Sequence, residues 1–269
     1  NINEQYRLQF SSRSEEVEEF IRRNPSTRKS FNMTYNLDLY DVTPLINLFD
    51  STIYVSKNTK INGRFNNEQG ETLVLDSKVD TVRLGNINFY DNNINLNATD
   101  IRSQEKVLAL GYISSEKQVY ANSSETDKMV FEAVWDGTHM DIRQNITQSS
   151  SGNYAEVGAD INFYPDRTEL RFEDSNINIL DSDWKITEEN VLVFGNGKIT
   201  IENLNIYNEE QSINLDGEIA VAQDSAKTLS VKFQDVEVAN LNPLAQESYT
   251  GRVSGDIKAQ NLYYNPVVF

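Results

Sequence analysis

The chain has 269 residues, with 24 basic and 41 acidic side chains, a formal net charge of −17, one histidine and no cysteine. Nucleic-acid phosphates and anionic lipid headgroups repel so acidic a chain, so partners must be met through apolar, neutral or cationic surface. The lack of cysteine excludes disulfide scaffolds, thiol catalysis, zinc fingers and iron–sulfur clusters. A single histidine excludes most histidine-based metal sites.

Helix is expected only near the start of the chain. Ser12 and Glu15 have the spacing of a capping box, which predicts a short helix near residues 13–24. A second short helix is predicted near residues 44–49, with Thr43 as its N-cap and Pro44 as its first residue.

Apolar and polar residues alternate with a period of two over most of the remaining chain. In residues 31–40, FNMTYNLDLY, the apolar side chains fall on one face and the Asn, Thr and Asp side chains on the other. Asn, Asp and Gly separate such runs, as at Asp136-Gly137 and at Gly195-Asn196-Gly197. This pattern predicts about seventeen strands of an antiparallel sheet with one apolar face.

The apolar face of such a sheet must be covered, and the predicted helices are too few to cover it. A sandwich, a solenoid or a sheet bent into a trough would each solve the problem, since a sheet of this many strands curls. The chain starts and ends in strand-like sequence and contains no linker. We therefore expect residues 1–269 to be a single continuous segment of a longer polypeptide.

One internal repeat is predicted. Residues 35–65 and 231–257 each contain an alternating strand, a polar turn, a Pro-Leu pair in a short helical turn, and a new strand that includes glycine.

No residue is predicted to be catalytic or to bind a metal or cofactor. His139 follows the Asp136-Gly137 turn without a nucleophile or metal-ligand spacing, and we expect a solvent-facing residue at a strand start. Asp181 and Asp183 could be calcium ligands or a glycosidase pair, but no calcium-loop spacing accompanies them, which favours a solvated loop. The glycines at 195–197 lack the third glycine and helix of a nucleotide loop.

Several segments resemble the TamB family, and in particular TamB-like proteins of Bacteroidota, which are related to AsmA-type envelope proteins. The resemblance extends over essentially the whole chain and rests on segment order. Its strongest parts are the two repeat segments and the WDG turn at 135–137. The segments are LFDSTIYVSKNTKINGRF (48–65), SKVDTVRL (77–84), VLALGYISSEKQ (107–118), FEAVWDGTHMDI (131–142), FYPDRTELRFEDSNINIL (163–180) and VEVANLNPLAQESYTGRVSGDI (236–257).

The resemblance implies an all-β fold: a long, mostly antiparallel sheet curved into a U-shaped trough, or β-taco, with an apolar interior. It implies a non-enzymatic protein of the Gram-negative periplasm, anchored in the inner membrane through another part of the chain. The implied function is phospholipid transport to the outer membrane and assembly of outer-membrane proteins with a TamA-like barrel protein. A structural or adhesive secreted β-solenoid or β-sandwich module with a dry core is the alternative.

Large alternating residues are the candidates to line the groove and to contact phospholipid acyl chains, although an ordinary closed core would use the same residues. They are Phe31, Met33, Tyr35, Leu37, Phe131, Trp135, Ile161, Phe163, Leu170, Phe172, Ile177, Ile179, Ile199, Ile201, Ile213, Leu215, Val231 and Phe233.

Overall fold

The computed structural model describes residues 32–48, 50–67, 71–99, 107–120, 124–220, 227–244, 248–260, 262 and 267–268. These residues form seventeen strands, the number that the alternation predicts. The strands are β1 (Asn32–Leu39), β2 (Ile53–Val55), β3 (Thr59–Asn66), β4 (Thr72–Leu84), β5 (Ile87–Thr99), β6 (Leu108–Val119), β7 (Glu125–Asp136), β8 (His139–Gln148), β9 (Asn153–Phe163), β10 (Arg167–Ile179), β11 (Ser182–Ile186), β12 (Val191–Gly195), β13 (Lys198–Tyr207), β14 (Ser212–Ala220), β15 (Thr228–Glu237), β16 (Arg252–Gln260) and β17 (Val267–Val268).

All seventeen strands belong to one antiparallel sheet, which confirms the all-β prediction. From β3 onward, neighbours in the sheet are neighbours in sequence, and β1 pairs with β3. At two places in the sheet, two successive strands pair with different stretches of the same neighbouring strand. β2 and β3 both pair with β4, and β11 and β12 both pair with β10 and β13.

Two-residue turns close several hairpins. Asn196 and Gly197 both have positive φ, 52° and 68°, as a type I′ turn requires, and this confirms the predicted hairpin turn. Leu180 and Asp181 adopt the same left-handed conformation between β10 and β11, with φ of 51° and 63°. Leucine is poorly suited to this conformation because its Cβ crowds the backbone.

Only the second predicted helix can be compared with the structure, and it is shorter than predicted. The first, near 13–24, lies outside the described residues. The second is reduced to one turn, α1 (Thr43–Ile46), and Asp41 replaces the predicted Thr43 as the cap, because its Oδ1 accepts the Thr43 N–H at 3.0 Å. A single turn gains too few hydrogen bonds to be extended without packing partners. A 3₁₀ helix, η1 (Val238–Leu244), follows β15.

The two predicted repeat segments have the same topology. In each, a strand leads through a short helical segment into an antiparallel strand beside it, β1 to β3 and β15 to β16. An aromatic residue lies opposite glycine in both, Tyr35 opposite Gly63 and Phe233 opposite Gly255. The first copy also contains β2, between α1 and β3, and the second has an extra residue in β15, where Asp235 has φ of 49°.

Register irregularities occur in β7, β10, β13 and β15. Lys128, Asn203 and Asp235 have positive φ at three of these places. An extra residue on one strand bends that strand and increases its local twist. The extra residues therefore favour local bending of these four strands.

Candidate functional site

An uninterrupted row of apolar residues crosses the sheet from β1 to β16. Residues that pair directly in a sheet share a face, so the register defines this row without reference to side-chain contacts. At about 4.8 Å per strand, the row is about 60 Å long. We call it the central row; its members are Met33, Phe65, Leu73, Ala98, Ala109, Trp135, Met140, Ile161, Leu170, Leu192, Ile201, Gly217, Leu229 and Ala259.

The register places seventeen of the eighteen predicted lining residues on the same face as the central row, which we call the apolar face. The eighteenth, Phe31, lies outside the described residues. Tyr35 and Leu37, for example, follow Met33 at alternate positions of β1, and Ile213 and Leu215 precede Gly217 in the same way. That these side chains bind lipid stays a prediction.

The apolar face is only partly shielded from solvent in the described residues. Met33 and Leu37 are 47% and 46% exposed, and most other predicted lining residues are half-buried. The most fully buried side chains of the described chain are polar: Gln118, Asn190 and Ser115. A sheet face packed against a second layer would instead bury its large apolar side chains first.

Packing on the apolar face is densest between β10 and β15. Ile201, Leu204 and Leu229 form a buried cluster there. Half-buried residues of the same face surround it; they are Phe172, Ile186, Leu192, Ile199, Leu215, Ile219 and Val231. These residues form a buried hydrophobic cluster on the apolar face.

A small apolar cavity of about 140 Å³ is lined by residues of β7 to β10 and of η1. Ile146, Ala155 and Ile177 contribute apolar walls, and Asn240 of η1 lines the cavity from a distant part of the sequence. Gln211 holds η1 there, because its Oε1 accepts the Glu237 N–H at 2.8 Å and the Asn240 amide at 3.0 Å. The segment after β15 thus lies against the end of β8 to β10.

The opposite face of the sheet carries most of the charge, and we call it the polar face. Glu218 lies on it between Lys198 and Lys227. Hydrogen bonds from both lysines lower the pKa of Glu218 to about 2, against an ordinary value of 4.5. A second network joins Glu169 to Arg167 and Arg171, at 2.9 and 3.0 Å, and lowers the pKa of Glu169.

One patch of the polar face is apolar. Leu108, Leu110 and Tyr112 alternate along β6, and Val134 lies directly opposite Leu110. All four are between 37% and 47% exposed. They show that the alternation is incomplete in the middle of the sheet.

Asn190 lies between the end of β11 and the start of β12, and its side chain hydrogen-bonds this segment to β10. Its side chain is 1% exposed. Its Oδ1 accepts the Phe172 N–H at 2.8 Å, and its Nδ2 donates to the Phe172 carbonyl at 2.9 Å and to the Thr187 carbonyl. The amide thereby replaces the ladder bonds that a continuous strand would have made to β10.

His139 lies at the start of β8 and is half-exposed, as its position after the turn predicts. Its Nε2 hydrogen-bonds to Asp160 of β9 and lies 3.6 Å from Asp141 Oδ1. The bond to Asp160 raises the pKa of His139, partial burial opposes the rise, and Asp141 adds to it. Asp160 is 21 residues away, so sequence spacing did not reveal it; the hairpin register between β8 and β9 brings it there.

Asp181 and Asp183 are exposed, as expected, although Asp183 belongs to β11 and not to a loop. Asp181 belongs to the turn after β10, and Asp183 Oδ1 accepts a 2.7 Å hydrogen bond from Asn178. They line an acidic depression together with Glu209 and Glu210. Among the described residues, the one converging group of at least three potential metal ligands does not include Asp181 or Asp183.

Several residues of the apolar face were absent from the predicted set. They include Phe65, Leu96 and Met140, which pair directly with other members of the face. Alternation could have revealed Leu96, whose neighbours Asn95 and Asn97 are polar. In β4 the consecutive apolar residues 73–75 obscure the period, and only the register resolves which of them belong to this face.

Comparisons of the chain with family models, curated proteins and solved structures found no match. Among the described residues, no helix is both long enough and apolar enough to cross a membrane.

Proposed function

We propose that this chain is a segment of a non-enzymatic cell-envelope protein whose apolar face carries phospholipid acyl chains between the inner and outer membranes. The central row supports the proposal: it is uninterrupted from β1 to β16 and belongs to a face that is only partly shielded. An acyl chain that leaves water for such a face gains about 0.8 kcal/mol per buried methylene.

Transport requires that lipid bind without being trapped. Four members of the central row have a small side chain or none, which makes the row shallow there. They are Ala98, Ala109, Gly217 and Ala259. The mainly apolar cavity near Asn240 is small, at about 140 Å³, so it offers little room for tight binding of a whole lipid. Repeated shallow sites of this kind let an acyl chain move along the sheet.

The proposal includes a U-shaped trough with the apolar face inside. Bulges in β7, β10, β13 and β15 favour curvature, and the position of η1 against β8 to β10 is consistent with it. Headgroups would stay at the open edge of the trough, in contact with water.

The same proposal places the protein in the periplasm of a Gram-negative bacterium, with an inner-membrane anchor and a TamA-like barrel protein as partner. Those contacts would belong to other parts of the full-length chain. Assembly of outer-membrane proteins would then be a second role of the same complex, and the TamB resemblance is its support.

Lipid extraction and mass spectrometry of the chain, purified after secretion to the periplasm, test the proposal. We expect co-purified phospholipid and exchange of fluorescent phospholipid from vesicles. Leu96→Asp, on the apolar face, is expected to reduce bound lipid at least fivefold. Asn97→Asp, exposed on the polar face of the same strand, is the matched control and should retain it.

A second pair lies in β1, which pairs only with β3 among the described residues. Leu37 is already 46% exposed, and Asn36 beside it is exposed on the other face. Leu37→Asp should reduce lipid exchange while Asn36→Asp leaves it unchanged. A folded chain that is free of lipid and exchanges none would refute transport and favour the structural or adhesive module with a dry core.

A further inference from the structure

We propose that His139, Asp141 and Asp160 bind one divalent transition-metal cation, such as Zn²⁺, on the polar face of the sheet. The three residues form the only group of at least three potential metal ligands that converges within the described part of the chain. The site is independent of lipid carriage, because it lies on the face opposite the central row.

The strand register brings the three ligands together. His139 and Asp141 occupy alternate positions of β8, so both side chains emerge on one face. Asp160 of β9 is the direct cross-strand partner of Asp141. The ligating atoms all lie within 4.8 Å of one another, and His139 Nε2 lies 3.6 Å from Asp141 Oδ1.

This spacing is close to that of a bound cation. Adjacent ligands of a tetrahedral zinc ion with bonds of about 2.0–2.1 Å are separated by about 3.4 Å. His139 Nε2 and Asp160 Oδ2 are in direct contact, so the ion requires that one of these side chains rotate outward. The exposure of the histidine side chain, 39%, leaves room for that rotation.

The surrounding charges favour a cation. Asp141 and Asp160 lie directly opposite each other, an arrangement that destabilises a sheet unless the charges are compensated, as the His139 hydrogen bond to Asp160 does in part. Asp136, opposite His139 in β7, adds a third carboxylate. Arg171 is the cross-strand partner of Asp160 in β10, but its guanidinium bonds to Glu169 at 3.0 Å.

The donor set indicates the class of metal. One imidazole nitrogen and two carboxylate oxygens suit Zn²⁺, Co²⁺ or Ni²⁺ better than Ca²⁺ or Mg²⁺, which prefer oxygen ligands alone. Three protein ligands leave at least one position for water or for an atom of another molecule. The acidic depression at Asp181 and Asp183 contains no imidazole and supplies an internal comparison.

The experiment titrates Zn²⁺ into the tag-free 269-residue chain by calorimetry, with Co²⁺ absorption spectroscopy as a second readout. A polyhistidine tag must be removed, since the chain itself has one histidine. We expect one saturable site, a Co²⁺ spectrum of low coordination number, and binding at least tenfold weaker in His139→Ala and in Asp141→Asn. The control Asp183→Asn should bind within twofold of the unaltered chain.

His139→Gln is the second variant, because glutamine keeps a hydrogen-bond donor for Asp160 and removes the imidazole ligand. Loss of the site in a folded His139→Gln chain supports the proposal. Absence of a saturable site, or equal weakening by Asp183→Asn, overturns it and leaves only diffuse attraction to an acidic surface. Phospholipid co-purification should be the same in all of these variants, so failure of this proposal is distinguishable from failure of lipid carriage.

Discussion

Replacement of Asn190 tests how the segment between β11 and β12 stays hydrogen-bonded to β10. The buried amide makes three hydrogen bonds, two to the backbone of Phe172 and one to the Thr187 carbonyl. Asn190→Leu keeps the number and branching of the side-chain heavy atoms and removes all three hydrogen bonds. Each such bond contributes about 1 kcal/mol net, and each buried backbone group left unsatisfied costs about 1–3 kcal/mol.

We therefore expect Asn190→Leu to lower the free energy of unfolding by about 3–5 kcal/mol, measured by urea denaturation. Asn176→Leu is the control, because Asn176 is exposed in β10 and its only described side-chain hydrogen bond is a 3.3 Å contact from Tyr154 Oη. Its effect should stay within about 0.5 kcal/mol.

Hydrogen exchange makes the test specific to the site. The Phe172 amide hydrogen bonds to Asn190 Oδ1, so its protection should fall sharply in Asn190→Leu and persist in Asn176→Leu. Equal stability of the two variants, or unchanged protection at Phe172, would refute the idea that this side chain replaces a strand ladder.

Three further predictions concern single positions. Glu218→Gln should lower the free energy of unfolding by about 1 kcal/mol at pH 7. The pKa shift alone corresponds to about 3 kcal/mol, and solvent screening reduces this because a quarter of the side chain is exposed. Since the folded-state pKa is lowered, this stability is present above about pH 4.5 and is lost as the pH falls toward 2, so acid titration of both chains should converge there. Gly63→Ala should lower the free energy of unfolding by more than about 2 kcal/mol, because its Cβ would overlap the Tyr35 side chain and the Val74 carbonyl oxygen. In Gly111→Ala the Cβ meets nothing closer than 3.9 Å, and urea denaturation should show a nearly unchanged stability. Leu180→Gly should raise the thermal midpoint and stabilise by about 1 kcal/mol, because glycine relieves the left-handed conformation; a lower midpoint would contradict this.

The sequence predicted the faces of the sheet better than it predicted local exceptions. Alternation identifies a face because the side-chain period of a strand is two, so Met33, Tyr35 and Leu37 were assigned together from β1 alone. Joining faces of different strands needs the register, and turns such as Asn196-Gly197 fix that register from local chemistry.

Helix prediction was less successful because a capping signal states only where a helix can begin. The residues near 44–49 contain a good first turn, yet the chain must return at once to pair β2 with β4. The cap itself moved to Asp41, two residues before the first helical residue. Tertiary pairing thus overrode a local preference that was correctly recognised.

Long-range polar contacts were beyond the reach of sequence patterns. Asn190 resembles any loop asparagine until Phe172, 18 residues earlier, is placed beside it. His139 and Asp160 are likewise brought together only by the pairing of β8 with β9. Bulges add to the difficulty, because an extra residue such as Asn203 reverses the alternation without a composition signal.

Pairing of each strand chiefly with its neighbours in sequence allows the number of hairpins in such a chain to vary. Because each hairpin bonds chiefly to the hairpins before and after it, removal or duplication of one unit leaves every other ladder intact. Stability then accumulates as a sum of adjoining interfaces, and folding can spread from any well-formed pair. A protein built in this way can be matched to the width of the compartment it occupies by the number of its hairpins alone.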